Sequence, residues 1–373
     1  MDSQKHLESL HLLENEEKKT AQFHQKSNFE ATDSSLIPGL PNDIAFLCLS
    51  RVPRQYHHIL KFVSKNWRDF LTSESLFQYR QSVGIADSWI YALCRDSSEY
   101  VHCYVLYPAR RRWKELPGLP DACSKRFGMT CEVLGRRLFL LGGCGWSEEA
   151  TNEVYCYDPL SNKWQRVADM ETARCHFVAE ACNGRLYAIG GMGSTSAALT
   201  SWETYDAETN IWTSHENLNV LPDIGESLTF DDTIYIRHVG TNVYPPTYAA
   251  AYDASNNTWS TVDDEMTMSW YGPAIEAGGE VYMVDQMLGV KLMMLDRVKR
   301  CWVFVGRLSP HLIRTPCRIT AIDNMLYVIG RGLQTVMIDT DKIERGRGML
   351  VTSSIAELPC SDDVVISCKT LSI

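Results

Sequence analysis

The sequence predicts a mainly β chain: a six-bladed β-propeller preceded by a small three-helix module. Three observations carry this. An aromatic residue recurs in a short apolar run at Tyr91, Phe139, Tyr187, Tyr235, Tyr282 and Tyr327, in steps of 48, 48, 48, 47 and 45 residues. A second marker keeps the same register. Tyr157-Asp158, Tyr205-Asp206, Tyr252-Asp253 and Leu295-Asp296 each precede a tryptophan, with six residues from the Asp to Trp164, Trp212, Trp259 and Trp302. The third is a diglycine, Gly142-Gly143 and Gly190-Gly191, whose second glycine lies 15 residues before the Asp. A period near 50 residues belongs to propeller blades or stacked arrays, and three markers in one register make coincidence a poor account.

Composition narrows the function classes. The chain has 373 residues, a net charge of −10, and 45% hydrophobic and 22% charged residues. A chain this long buries roughly three quarters of its unfolded surface. The acidic balance argues against nucleic acid or an anionic membrane as a whole-chain partner. No run of 18 apolar residues suggests a membrane span, and the first residues contain no apolar segment of a secretory signal. Thirteen cysteines, an odd number with no Cys-x-x-Cys pair, fit a reducing compartment better than a disulfide framework or a closed zinc site. A cytoplasmic or nuclear location is expected.

Taken in order, residues 1–35 are polar and of mixed charge and are expected to form a disordered tail. Residues 36–83 read as helical. Pro41 suits a first helical turn, Ile44, Leu47 and Cys48 follow at helical spacing, and Pro53 breaks that helix. Ile59, Leu60, Val63, Trp67, Phe70 and Leu71 recur every three or four residues, and Ser64 is placed to cap the last helix. So small a module buries its own apolar surface poorly, which motivates a partner surface.

From residue 84 to 373 each repeat reads as four antiparallel strands, A to D. Blade three shows them most plainly. Strand A is 175–180, the hairpin turn is Asn183-Gly184, strand B is 185–189 and ends at the diglycine, strand C is 202–205, and strand D carries the tryptophan. Blade one lacks a strand A ahead of Trp89. An unassigned apolar run, Val364-Val365-Ile366-Ser367-Cys368, remains after the sixth repeat. The expectation is that this segment, about 363–369, supplies the missing strand and closes the ring, because closure removes exposed sheet edges.

These patterns resemble two families. The diglycine, Tyr-Asp and six-residue step to Trp resemble the kelch repeat, with losses in repeats four to six. There Arg237-His238, Asp285-Gln286 and Gly330-Arg331 replace the diglycine, and Arg345 stands in for the last Trp. Leu40-Pro41-x-Asp43, Ile44, Leu49, Pro53, Val63-Ser64-Lys65-x-Trp67 and Leu71-x-Ser73 resemble an F-box. An F-box ahead of kelch repeats is similar to the F-box/kelch-repeat proteins of plants. The resemblance implies a substrate-recognition subunit of an SCF (Skp–cullin–F-box) ubiquitin ligase. The F-box would dock on a Skp-type adaptor, and through it on the cullin/RING ligase, while the propeller holds a target protein. It implies a receptor without catalysis of its own and without a cofactor. A non-catalytic kelch scaffold for cytoskeletal or signalling partners is the alternative.

The candidate residues follow. Leu40, Pro41, Ile44, Leu49 and Pro53 are the adaptor-binding candidates, with Val63 and Trp67 expected in the core. Strand direction alternates within a blade, so the D-to-A and B-to-C loops share one face. These loops vary in length and chemistry, as recognition requires. On that face the sequence places the target-binding candidates Arg126, Phe127, Trp146, Arg174, His238, Trp270, Tyr271, Arg314 and Arg331, beside Met192, Arg237 and Gln286. Several arginines near one axis would suit an acidic or phosphorylated peptide. No catalytic motif is present, no metal ligand spacing is recognisable, and His176 and the cysteines read as structural. The cluster Arg110-Arg111-Arg112 with Lys114 reads as a solvated turn.

Overall fold

The computed structural model describes residues 35–146, 149–193, 200–216, 224–239, 247–262, 265–343, 350, 352–355 and 362–373. The expected N-terminal tail, up to residue 34, lies outside the described residues. The chain divides into a helical unit that ends at Asp87 and takes in Ser372–Ile373, and a β unit, Ser88–Leu371.

In the helical unit Pro41 precedes the helix Asn42–Ser50, and Pro53 starts a single 3-10 turn, Arg54–Tyr56, ahead of His57–Leu60. Ser64 caps the helix Lys65–Leu71 by accepting from the Trp67 amide at 3.1 Å. A further helix, Glu74–Ser82, follows the three that the sequence suggests, with Ser73 accepting from the Leu76 amide at 3.2 Å. Leu76 and Tyr79, three residues apart, share the inner face of this helix. They complete a core with Leu36, Ala45, Phe46, Leu49, Phe70 and Leu71. Phe46 meets Phe70 and Tyr79 edge to face at 5.2 and 5.0 Å. The buried Arg80 guanidinium donates to the carbonyls of Ser50, Val52 and Ile85 and pairs with Asp87 at 2.8 Å. Asp87 also accepts from the Arg54 amide, so the helical unit extends to that residue.

The β unit is a six-bladed propeller. Each described sheet has four antiparallel strands, and five of the sheets take theirs in chain order. Blade three, for example, comprises Val178–Cys182, Arg185–Ile189, Ser201–Asp206 and Ile211–Glu216. Blade one is the exception. Its first strand is Val364–Ser372, which lies beside Ser88–Arg95, followed by Val101–Tyr107 and Arg112–Glu115. The indole N–H of Trp113 in blade one donates to Thr335 Oγ1 of blade six at 3.0 Å, so a buried bond spans the seam.

The repeat markers have a common mechanical role. In the C-to-D turn the Asp carboxylate accepts backbone N–H groups, at 2.8 Å for Asp158 with Leu160 and 2.9 Å for Asp206 with Glu208. The Asn that follows takes a left-handed conformation, with φ of 54° at Asn162, Asn210 and Asn257 alike. Its side-chain oxygen accepts the preceding tyrosine hydroxyl, at 2.6 Å for Tyr157, 2.8 Å for Tyr205 and 2.5 Å for Tyr252. Two of the four tryptophans then reach the preceding blade connection: Trp212 donates to the Ala168 carbonyl at 3.0 Å and Trp302 to the Met266 carbonyl at 2.9 Å. The diglycine is needed for room. A Cβ on Gly142, at φ +59°, would stand 2.4 Å from the Arg174 carbonyl.

The first strands of neighbouring blades, from two to six, pack side by side. They surround a cavity of about 360 Å³ that runs along the axis.

Candidate functional site

The helical unit has an outward apolar face that its own core does not use. Ile44, Tyr56, Ile59, Phe62 and Val63 are all exposed, Phe62 at 83%. Pro41 and Pro53 are exposed beside the same helices. Leu40 is half-buried against the core and Leu49 is 3% exposed. Of the five adaptor-binding candidates, Pro41, Ile44 and Pro53 are therefore available as contacts. Leu49 is corrected to a core residue, because it sits on the inner face of its helix with Ala45 and Phe46. Val63, expected in the core, is 60% exposed, because it lies in the turn before Ser64. Trp67 is half-buried and donates its indole N–H to the Leu36 carbonyl at 2.6 Å. Tyr56, Ile59 and Phe62 were missed. Of the three only Ile59 belongs to the helical periodicity of the sequence, while Tyr56 and Phe62 fall outside it.

On the propeller, the D-to-A and B-to-C loops carry an uneven set of exposed groups. Trp146 is 86% exposed and meets Phe127 edge to face at 5.5 Å, while the Arg95 guanidinium lies 4.0 Å over the other aromatic partner, Phe127. Met192, Tyr271, Met287, Leu288 and Leu312 are exposed on the same loop set. Arg314 and Arg331 share one carboxylate, Asp362, at 3.0 and 3.4 Å. Arg126 pairs with Glu153, which also holds Arg166 at 2.7 Å. Those pairs leave Arg126 less able to meet a second anion than a lone rim arginine.

Three target-binding candidates are corrected. Arg174 is fully buried and pairs with the equally buried Glu203 at 2.7 Å. Its Nη1 donates to the carbonyls of Gly190 and Ser201, and Nη2 donates also to the Ser201 hydroxyl. Glu203 accepts from the amides of Glu171 and Thr172 as well. The arginine clamps one loop to the next and faces no solvent. Trp270 is fully buried in a cluster with Met266 and Trp302, its indole N–H on the Gly272 carbonyl at 2.8 Å. His238 is 1% exposed, because strand B of blade four runs on past the point where the diglycine ends its counterparts. Arg95, Met287, Leu288 and Leu312 were missed, since nothing in the repeat pattern distinguishes loop residues that face outward.

The axial cavity is polar. Glu180 accepts from Ser227 and Thr229, at 2.5 and 2.9 Å, and Arg318 pairs with Glu226 at 3.2 Å and donates to the Ile366 carbonyl. Nearby Lys369 pairs with the buried Glu132. Burial pushes the Glu132 carboxyl up to about 7, against the pull of the lysine.

A helical unit with a self-contained core and an outward apolar face, joined to a propeller with an irregular loop rim, defines a binding protein assembled from two modules. Family comparison agrees. Residues 37–79 match the F-box domain, and residues 92–288 match the KLHDC2/KLHL20/DRC7 Kelch-repeats domain. The chain is 42% identical over 348 residues to the F-box/kelch-repeat protein SKIP4 of Arabidopsis thaliana, covering 92% of this chain and 96% of that protein. A putative F-box/kelch-repeat protein of the same plant is 27% identical over 339 residues, covering 87% of this chain and 95% of that protein. The solved structure of YjhT shares the propeller fold, with a TM-score of 0.50 at 14% identity over 71% of this chain and 97% of that one. The chain belongs to the F-box/kelch-repeat family.

Proposed function

We propose that this protein is the substrate-recognition subunit of an SCF ubiquitin ligase. The F-box face binds a Skp-type adaptor, and the loop rim of the propeller binds a target protein. The observation that carries the reading is the outward face of Ile44, Tyr56, Ile59, Phe62 and Val63 on a unit whose core is already complete without them. An apolar helical face with no internal partner fits a hydrophobic groove. The mechanism is proximity. Holding the target beside a charged ubiquitin-conjugating enzyme turns a dilute encounter into an effectively intramolecular one. No group of this chain needs to take part in bond making. A cytoplasmic or nuclear setting fits this role.

The test is co-expression with a Skp-type adaptor followed by size-exclusion chromatography. The wild-type chain is expected to elute as a 1:1 complex, and Ile44→Glu with Phe62→Glu to elute alone while melting as the wild type does. No complex from a folded wild-type chain would shift the reading to a kelch scaffold that works without ubiquitin chemistry.

A further inference from the structure

Three soft donors meet on the rim where blade two adjoins blade three, and neither the repeat framework nor the adaptor reading uses them. The Sγ atoms of Cys144 and Cys175 and a ring nitrogen of His176 all lie within 4.8 Å of one another. Cys144 follows the diglycine of blade two, and Cys175-His176 lead into strand A of blade three, so the pair of loops is joined only by folding.

The backbone holds each donor in place. Cys144 and Phe127 exchange N–H···O bonds of 2.9 and 2.8 Å, and Cys175 and Met192 exchange bonds of 2.7 and 2.8 Å. The His176 amide donates to the Gly128 carbonyl at 2.8 Å. His176 itself has φ +52°, a left-handed conformation that a non-glycine residue seldom takes. Its ring lies against Gly128, where a Cβ would stand 2.7 Å from Cδ2 and 2.8 Å from Cγ. Only glycine at 128 leaves space for the imidazole in this position.

The burial of the three donors is graded. Cys175 is buried, Cys144 is half-buried and His176 is exposed, so the cluster has a dry side and an open side. Thiolate and imidazole are the ligand types of zinc, and three protein ligands with an open fourth position make up a recurrent zinc geometry. Two thiolates at about 2.3 Å from one tetrahedral ion stand about 3.8 Å apart. Reaching that from a separation of no more than 4.8 Å asks at most roughly half an ångström of each side chain, within reach of small χ1 changes.

We propose that Cys144, Cys175 and His176 bind a zinc(II) ion on the recognition rim, with its fourth position open to solvent. Zinc displaces the two thiol protons, which pass to solvent, and no electron moves. Affinity therefore rises with pH.

The experiment uses the full chain, purified with a phosphine reductant, stripped with a chelator and titrated with Co²⁺ as the spectroscopic probe. One equivalent is expected to bring up a thiolate-to-cobalt charge-transfer band with tetrahedral visible bands, and Zn²⁺ to displace both. Cys144→Ser and His176→Ala, each at a solvent-accessible position, are expected to weaken Zn²⁺ binding by at least about tenfold. Cys301→Ser, far from the cluster in the sequence, is expected to change nothing. Absence of the charge-transfer band in the wild type would overturn the proposal. So would Zn²⁺ affinity unchanged by Cys144→Ser and His176→Ala, or a Cys144–Cys175 disulfide that persists under the reductant.

Discussion

Replacing Arg174 with alanine tests whether this residue is a clamp or a contact. Both Arg174 and Glu203 have side chains with no solvent exposure. The substitution strips Glu203 of its only described counter-charge and leaves the Gly190 and Ser201 carbonyls without their guanidinium donors. Breaking a buried pair by removing one partner costs about 3–5 kcal/mol. For a unit of this size each kcal/mol moves the melting midpoint by about 2–4 °C, so a drop on the order of 10 °C is expected. Differential scanning fluorimetry and urea titration of the full chain, at matched scan rate, measure it. Arg174→Met combined with Glu203→Gln is expected to recover much of the loss, because it leaves no lone charge behind. A loss below about 1 kcal/mol, or a double variant as unstable as the single one, would refute the clamp. A fully stable Arg174→Ala chain that no longer captured its target would restore the arginine to the recognition surface.

Two further outcomes are expected. Burial, with a smaller contribution from the nearby cations Arg54, Arg80 and Lys61, lowers His57 to about 4, while Nε2–H donates to the Val52 carbonyl. The folded unit therefore binds fewer protons here than the unfolded chain, and this group stabilises fully above about pH 6.5. About 3 kcal/mol is lost as pH falls from there through 4. His57→Gln should flatten that acid limb in circular-dichroism melts, and an unaltered limb would count against the assignment. Gly142→Ala should cost at least about 1–2 kcal/mol for the left-handed backbone. The Arg174 carbonyl, 2.4 Å from the new Cβ, adds to that cost, and a neutral melt would show that the loop gives way.

How much of this was legible in the sequence depends on what each residue is asked to do. The Tyr-Asp and Trp markers could be read because one turn chemistry recurs, with Asp capping, Asn left-handed and Tyr hydroxyl on Asn. The Val364–Ser372 strand was visible as an apolar run left without a repeat, and it stands beside Ser88–Arg95. The helix Glu74–Ser82 was overlooked, although Ser73 and Glu74 give an ordinary start signal, because its apolar face is only Leu76 and Tyr79. The rim was harder. Arg174 and Trp270 are types that favour interfaces, and sequence does not tell an arginine facing solvent from one turned inward onto Glu203. The Cys144, Cys175 and His176 cluster was invisible, because the donors converge from two blades and no linear spacing marks them.

The position of Val364–Ser372 in blade one carries a consequence for how this protein is made. A segment synthesised after all six repeats completes the first blade of the ring. A nascent chain can build its middle blades one after another as they leave the ribosome, yet Ser88–Arg95 keeps a bare edge until Val364–Ser372 has been made. During that interval the first blade is open to chaperones and to mispairing with other chains. The ring closes only once Val364–Ser372 has emerged, so a chain cut short before that segment would be marked as unfinished by its own unsatisfied strand.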